Sequence, residues 1–212
     1  MSVLADTFRQ MPIIAILRGI EPQSCVPVAE VLHRAGIRIM EVPLNSPDPY
    51  TSIRLLSQHL ASDCVIGAGT VLTGTEVQQA HEAGAQLIVS PNVDVDVIRQ
   101  ASELGIEAIP GIATATESFL AIHAGATMLK LFPAATYAPT HLKALKAVMP
   151  PKVAIIPVGG VSASDVESWL EAGAAGFGFG SELFKPTLSL YEIEERAAEI
   201  VTAVRSAVHR VA

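Results

Sequence analysis

The sequence predicts one α/β domain over residues 1–212, a (β/α)8 TIM barrel with a short N-terminal helix before it and a closing C-terminal helix after it. Three observations carry this expectation. A short apolar run followed by an amphipathic stretch repeats eight times along the chain. The runs are apolar on both faces instead of alternating, as parallel strands covered on each side must be. The stretches between them repeatedly close in Ala-Gly or Leu-Gly, where glycine suits the left-handed position just past a helix end. Eight such units in a chain of this length fit a closed barrel at its compact end. An open doubly wound sheet is the alternative, and the lack of a Gly-x-Gly-x-x-Gly fingerprint weighs against it.

Taken in order, residues 2–10 suit an extra helix and Pro12–Leu17 is the first strand. Ser24–Ala35 has helical period, stops before Gly36, and leads into the second run, Arg38–Leu44. Ser46 ahead of Pro47 reads as a helix N-cap. The third run is Cys64–Val71; Thr73 then caps a helix over Thr75–Ala83, which ends before Gly84 and the fourth run, Gln86–Val89. Gly105 precedes the fifth run, Glu107–Ile112, and Gly125 the sixth, Thr127–Phe132. Val153–Val158 is the seventh, followed by a helix over Ser162–Ala172 with Ser162 as its cap. Gly173 and the eighth run, Ala175–Phe179, come next, and Tyr191–Arg210 forms the closing helix.

Composition narrows the functional classes. With 50% hydrophobic and 17% charged residues, the chain has enough apolar surface for a substantial core. A formal net charge of −7 provides no basic footprint for nucleic acid or an anionic membrane surface. A local cluster of donors can still hold a small anion. No apolar run approaches the roughly 18 residues of a membrane span. Met1–Gln10, carrying Asp6 and Arg9, does not read as a signal peptide. Cys25 and Cys64 lack metal-type spacing and read as reduced, buried thiols, so a cytoplasmic protein is expected. The histidines fall in helix-period segments without zinc-type spacing, and no Gly-x-Ser-x-Gly elbow is present. The expected chemistry is amine-based, with no metal and no cofactor.

The amine is Lys130, the one charge in Thr127-Met128-Leu129-Lys130-Leu131-Phe132-Pro133. A lysine inside a buried strand loses hydration, which lowers its pKa and makes it a nucleophile toward carbonyls. The alternative is a strand-end lysine whose long stem reaches water. In a barrel, active groups gather at the carboxyl ends of strands. Side-chain alternation puts Lys130 on one face with Met128 and Phe132, and Glu41 on one face with Ile37 and Ile39. Arg18 follows the first run. An amine, an acid and a guanidinium thus converge from three strands. Glu41 reads as an acid/base or as a salt-bridge partner of Arg18 or Lys130, and Arg18 as a carboxylate clamp or a rim charge. Runs seven and eight end in Val158-Gly159-Gly160-Val161 and Gly178-Phe179-Gly180-Ser181. That is where barrels recurrently bind phosphate through glycine turns and helix N-termini, though tight turns in a small barrel would also need the glycines. Thr70, in Gly67-Ala68-Gly69-Thr70, reads as a donor to a carboxylate or as a threonine bonded to its own backbone; the segment lacks both nucleotide-loop forms.

These residues resemble the KDPG/KDPGal aldolases, class I pyruvate aldolases acting on 2-keto-3-deoxy-6-phosphosugar acids. The likeness runs from Ile14-Ala15-Ile16-Leu17-Arg18-Gly19 through Glu41-Val42-Pro43-Leu44-Asn45-Ser46-Pro47 and Gly67-Ala68-Gly69-Thr70-Val71. It continues through Ser90-Pro91-Asn92, Pro110-Gly111, Leu129-Lys130-Leu131-Phe132-Pro133, Val158-Gly159-Gly160-Val161 and Gly180-Ser181. The resemblance implies a homotrimeric barrel with Lys130 as the Schiff-base lysine and Glu41 as the general acid/base. It implies phosphate held by the glycine turns and Ser181, and pyruvate and glyceraldehyde 3-phosphate as products. Arg18 and Thr70 would hold the carboxylate. Phe132 and Pro91 would wall the pyruvyl end, a role that ordinary core packing also fits. Val158 and Asn45, where phosphogluconate-type members usually carry threonine and arginine, are similar to the phosphogalactonate branch. A barrel epimerase or isomerase of phosphosugars, or a non-catalytic sugar-phosphate sensor, are the competing readings.

Overall fold

The computed structural model describes residues 3–60 and 63–211. Its strand segments are β1 (Ile13–Ile16), β2 (Ile39–Pro43), β3 (Val65–Gly69), β4 (Leu87–Val89), β5 (Glu107–Ile109), β6 (Gly111–Ile112), β7 (Met128–Leu131), β8 (Ala154–Pro157) and β9 (Phe177–Phe179). Each expected run is present, but the fifth is divided into β5 and β6. Pro110 is the cause: it has no N–H to continue a ladder, while its carbonyl accepts the Lys130 N–H at 2.9 Å.

All pairings are parallel. One sheet runs β5-β4-β3-β2-β1-β9 and the other β6-β7-β8. Only Pro110 separates β5 from β6 along the chain, and Val158 just beyond β8 bridges Gly178 of β9 in parallel. The two sheets therefore meet at both margins.

Between the strands lie α2 (Pro22–Ala35), α3 (Pro49–Leu60), α4 (Gly74–Glu82), α5 (Val95–Glu103), α6 (Ala115–Ala124), α7 (Pro139–Lys146) and α8 (Val166–Glu171). They are preceded by α1 (Val3–Gln10) and followed by α9 (Leu190–Val211), which match the expected extra and closing helices. Gly36, Gly84, Gly105, Gly125 and Gly173 all adopt left-handed φ between 71° and 113°, as the helix-end reading requires. Thr73 caps α4 with a reciprocal capping box. Ser162 does the same for a 3-10 turn, Ala163–Asp165, that leads into α8. Ser46 is a correction. Its helix starts only at Pro49, and its buried hydroxyl instead accepts the Gly19 N–H at 2.9 Å, tying the loop after β2 to the loop after β1.

Two apolar layers result. The larger fills the space between strands and helices. The smaller is enclosed by the strands: Ile14, Ile16, Ile39, Val65, Leu87, Val89, Ile109, Met128, Ile156 and Val158, joined by Leu4 and Phe8 of α1. Ile39 shares this inner layer, on the face that carries Glu41, whereas Ile37 packs in the outer one, because regular β2 geometry begins only at Ile39. Phe8 packs beside Gly176, at the amino end of β9, so α1 stops that end of the layer. Glu41 and Lys130, the buried charges of the inner face, lie toward the opposite, carboxyl end.

Candidate active site

β7 delivers Lys130 to the inner face in register with Gly111 and Ile156, and β2 delivers Glu41 in register with Ile16 and Gly67. Both charges are almost fully removed from water, Lys130 at 5% and Glu41 at 2% exposure. Burial lowers the Lys130 ammonium to about 8, Glu41 opposing this shift and Arg18 reinforcing it. Burial likewise pushes the Glu41 carboxyl up to about 7, with Lys130 and Arg18 pulling it back. The Lys130 Nζ lies 4.5 Å from the centroid of the Phe132 ring, a cation–π contact that helps hold the amine in place.

The ion pairs among the described residues all lie elsewhere, so Glu41 is not a salt-bridge partner of Lys130 or Arg18. Its buried Oε2 has no hydrogen-bond partner among the described residues. An unsatisfied buried oxygen costs about 1–3 kcal/mol, and such a group facing a cavity is poised to take a proton from a ligand. The room for it comes from Gly69: a Cβ there would overlap the Glu41 carboxylate. Sequence reasoning missed this glycine: it rejected Gly67-Ala68-Gly69-Thr70 as a nucleotide loop and singled out only Thr70 within it. The available signal was two glycines at period two in a strand, which strip one strand face of side chains.

A cavity of about 330 Å³ opens at this end. Its walls include Lys130, Glu41, Arg18 and Phe132, and also Val158, Gly159, Gly160, Gly180 and Ser181. Thr70 and Pro91 do not line it. Thr70 sits behind Arg18: the guanidinium donates through Nη2 to Thr70 Oγ1 at 3.3 Å and through Nη1 to Asn45 Oδ1 at 2.6 Å. Thr70 does this from a left-handed backbone, φ 57°, which is strained for a β-branched residue by about 1–3 kcal/mol. Pro91 is half-buried, and its carbonyl lies against the Cβ-free side of Gly111.

Gly159 and Gly160 take left-handed φ of 91° and 75°. The N–H groups of Gly160, Val161, Ser181 and Glu182 make no backbone hydrogen bond among the described residues, leaving them free for an anion. From behind, Arg196 of α9 donates through Nη1 to the carbonyls of Ser181 and Glu182, each at 3.3 Å. The loop after β9 also brings Glu182, Phe184 and Lys185 to the cavity. These were missed because the sequence reading stopped at Ser181; a basic residue in the loop after the last strand was the signal. No group of three or more His, Cys, Asp and Glu among the described residues could hold a metal. The arrangement is an amine of lowered pKa, a buried acid/base and an anion cradle lining one cavity.

The chain is similar to known proteins over most of its length. The chain is 43% identical over 199 residues to the 2-dehydro-3-deoxy-6-phosphogalactonate aldolase of Escherichia coli (strain K12), covering 94% of this chain and 97% of that one. A solved native KDPGal structure superposes with a TM-score of 0.93 at 42% identity, covering 94% of this chain and 97% of that one. The KDPG aldolase of Legionella pneumophila, crystallised with pyruvate captured at low pH as a covalent carbinolamine, superposes with a TM-score of 0.82 at 28% identity, over 97% and 98% of the two chains. The model of the KDPG and KHG aldolases matches residues 4–200, and it is to this aldolase family that the chain belongs.

Proposed function

We propose that this chain reversibly cleaves 2-dehydro-3-deoxy-6-phosphogalactonate (KDPGal) to pyruvate and glyceraldehyde 3-phosphate through a Schiff base on Lys130. The observation that carries the reading is the pairing, in one cavity, of a buried amine of lowered pKa with a buried, unpartnered carboxyl oxygen. Neutral Lys130 attacks the C2 ketone, and loss of water yields a protonated imine. The Glu41 carboxylate takes the C4 hydroxyl proton as C3–C4 breaks, and the bonding electrons pass into the imine to form an enamine. Glyceraldehyde 3-phosphate leaves. Glu41 returns the proton to C3, and water hydrolyses the resulting imine to pyruvate and free lysine.

Arg18 binds the substrate carboxylate, its fork aimed by Asn45 and Thr70, so Thr70 acts through Arg18. The turns at Gly159-Gly160 and Gly180-Ser181 hold the phosphate, whose binding energy orients the reacting bond. Phe132 walls the pyruvyl end. Val158, 3% exposed, presents an apolar surface where a hydroxyl could favour the C4 epimer, 2-dehydro-3-deoxy-6-phosphogluconate (KDPG). The likeness to the Escherichia coli phosphogalactonate enzyme supports the same stereochemistry.

In this reading the two sheets form one (β/α)8 barrel over residues 1–212, supported by their contacts at Pro110 and at the Val158–Gly178 bridge. It also carries a cytoplasmic homotrimer; no helix among the described residues is long and apolar enough to cross a membrane. Pyruvate release coupled to lactate dehydrogenase, from KDPGal and KDPG in parallel, tests the activity. Fast release from KDPGal is expected, with borohydride trapping pyruvate on Lys130 and Lys130→Met abolishing both. Release from neither epimer by folded protein would overturn the reading.

A further inference from the structure

Three cationic side chains reach the cavity, Arg18, Lys130 and Lys185. Arg18 is engaged with Asn45 and Thr70, and Lys130 is buried beside Phe132 on the wall that carries the amine chemistry. Lys185 is exposed, and its ammonium takes part in none of the ion pairs among the described residues. Its backbone is held: the Lys185 carbonyl accepts the Leu188 N–H at 3.0 Å, and the next residue, Pro186, packs against Gly19. A free cationic arm thus springs from an anchored loop at the edge of the glycine cradle.

The cradle needs such a charge. Backbone N–H groups aim at an anion but carry no net charge, while a phosphomonoester bears about −1.5 to −2 at neutral pH. Glu182 on the same loop opposes it, as does the overall net charge of −7. We infer that Lys185 is the phosphate-binding cation of this site, closing over a phosphate seated on the Gly159-Gly160 and Gly180-Ser181 turns and setting the preference for phosphorylated over unphosphorylated aldehydes. This rests on the aldolase reading for its substrate, but not for the binding of phosphate itself.

The test compares wild type, Lys185→Met and Lys185→Arg in the synthetic direction, with pyruvate and either glyceraldehyde 3-phosphate or glyceraldehyde. Lys185→Met is expected to lower kcat/KM for the phosphorylated aldehyde about tenfold and for glyceraldehyde less than about twofold. Lys185→Arg restores most of the loss. Added salt shrinks the difference between wild type and Lys185→Met, because the contact is solvent-exposed. Calorimetric binding of inorganic phosphate, which needs no turnover, should weaken by a similar factor in Lys185→Met. Equal losses for both aldehydes, or unaltered phosphate binding, would overturn the assignment of Lys185. Failure of wild type to trap pyruvate on Lys130 would instead strike the aldolase reading and leave the phosphate result to decide this one.

Discussion

Replacing Gly69 by alanine isolates the position of Glu41 from its chemistry. The φ of Gly69 lies outside the left-handed region, so alanine meets no backbone penalty there. The added methyl would, however, overlap the Glu41 carboxylate, which is 2% exposed and hemmed in by strands. Relief requires the carboxylate to shift by roughly 1 Å, and misplacement on that scale costs about 10²-fold in rate. Overpacking should cost about 1–3 kcal/mol of stability, of which about 0.4–1 kcal/mol returns through reduced freedom of the unfolded chain. The expected result is a kcat for pyruvate release down about a hundredfold, with pyruvate still trapped on Lys130 by borohydride. Gly67→Ala is the control: its methyl presses first on the Leu87 backbone and side chain, so it should cost stability in urea titration without a comparable loss of kcat. A Gly69→Ala variant with kcat within about threefold of wild type, or equal kcat losses in the two variants, would refute the reasoning that Gly69 seats the acid/base.

Further expectations follow from the same geometry. Glu41 keeps its proton to about 7 in the folded chain against an ordinary 4.5, so the folded state binds more protons across that window and unfolding free energy falls as pH rises through it. Lys130 loses its proton near 8 instead of 10.5, so stability recovers as pH rises between those values. Urea midpoints against pH should show this dip, and Glu41→Gln should remove its acid side; parallel curves for variant and wild type would contradict it. Because cleavage needs neutral Lys130 and ionised Glu41, kcat/KM for cleavage should climb with pH through the titration of the pair, as a pH–rate profile will show. Val158→Thr places a hydroxyl on the cavity wall and should move the KDPGal-to-KDPG ratio of kcat/KM by about tenfold or more toward KDPG; an unmoved ratio would remove Val158 from specificity. Arg196→Ala frees the carbonyls of Ser181 and Glu182 and should raise KM for the phosphorylated substrate a few-fold with little change in kcat. A fall in kcat alone would place Arg196 elsewhere in the cycle.

Much of this molecule was legible along the chain. Runs apolar on both faces, and glycines placed one helix apart, are local signals: each reports the covering of a strand or the handedness of a residue, whatever lies across the fold. Lys130 and Glu41 stood out for the same reason, as charges at positions where burial is otherwise complete. Pro110 is a partial exception. Its missing N–H is a local fact, but the sequence pattern did not say that a ladder would fall on that residue and divide the strand.

The sequence by itself determined the repeating units, their order, and the amine and acid at strand ends, because side-chain period and apolarity are set by neighbours one to four residues away. Only the tertiary structure decided which groups meet. It placed Gly69 under the Glu41 carboxylate, left that carboxylate without an ion pair, bonded Thr70 to Arg18, kept Thr70 and Pro91 out of the cavity lining, and brought Lys185 to the glycine cradle. Those outcomes depend on the register between strands distant in sequence and on where loops settle at the strand ends. Neither leaves a period in the chain, since hydrogen bonds between neighbouring strands are made by backbone atoms that every residue shares.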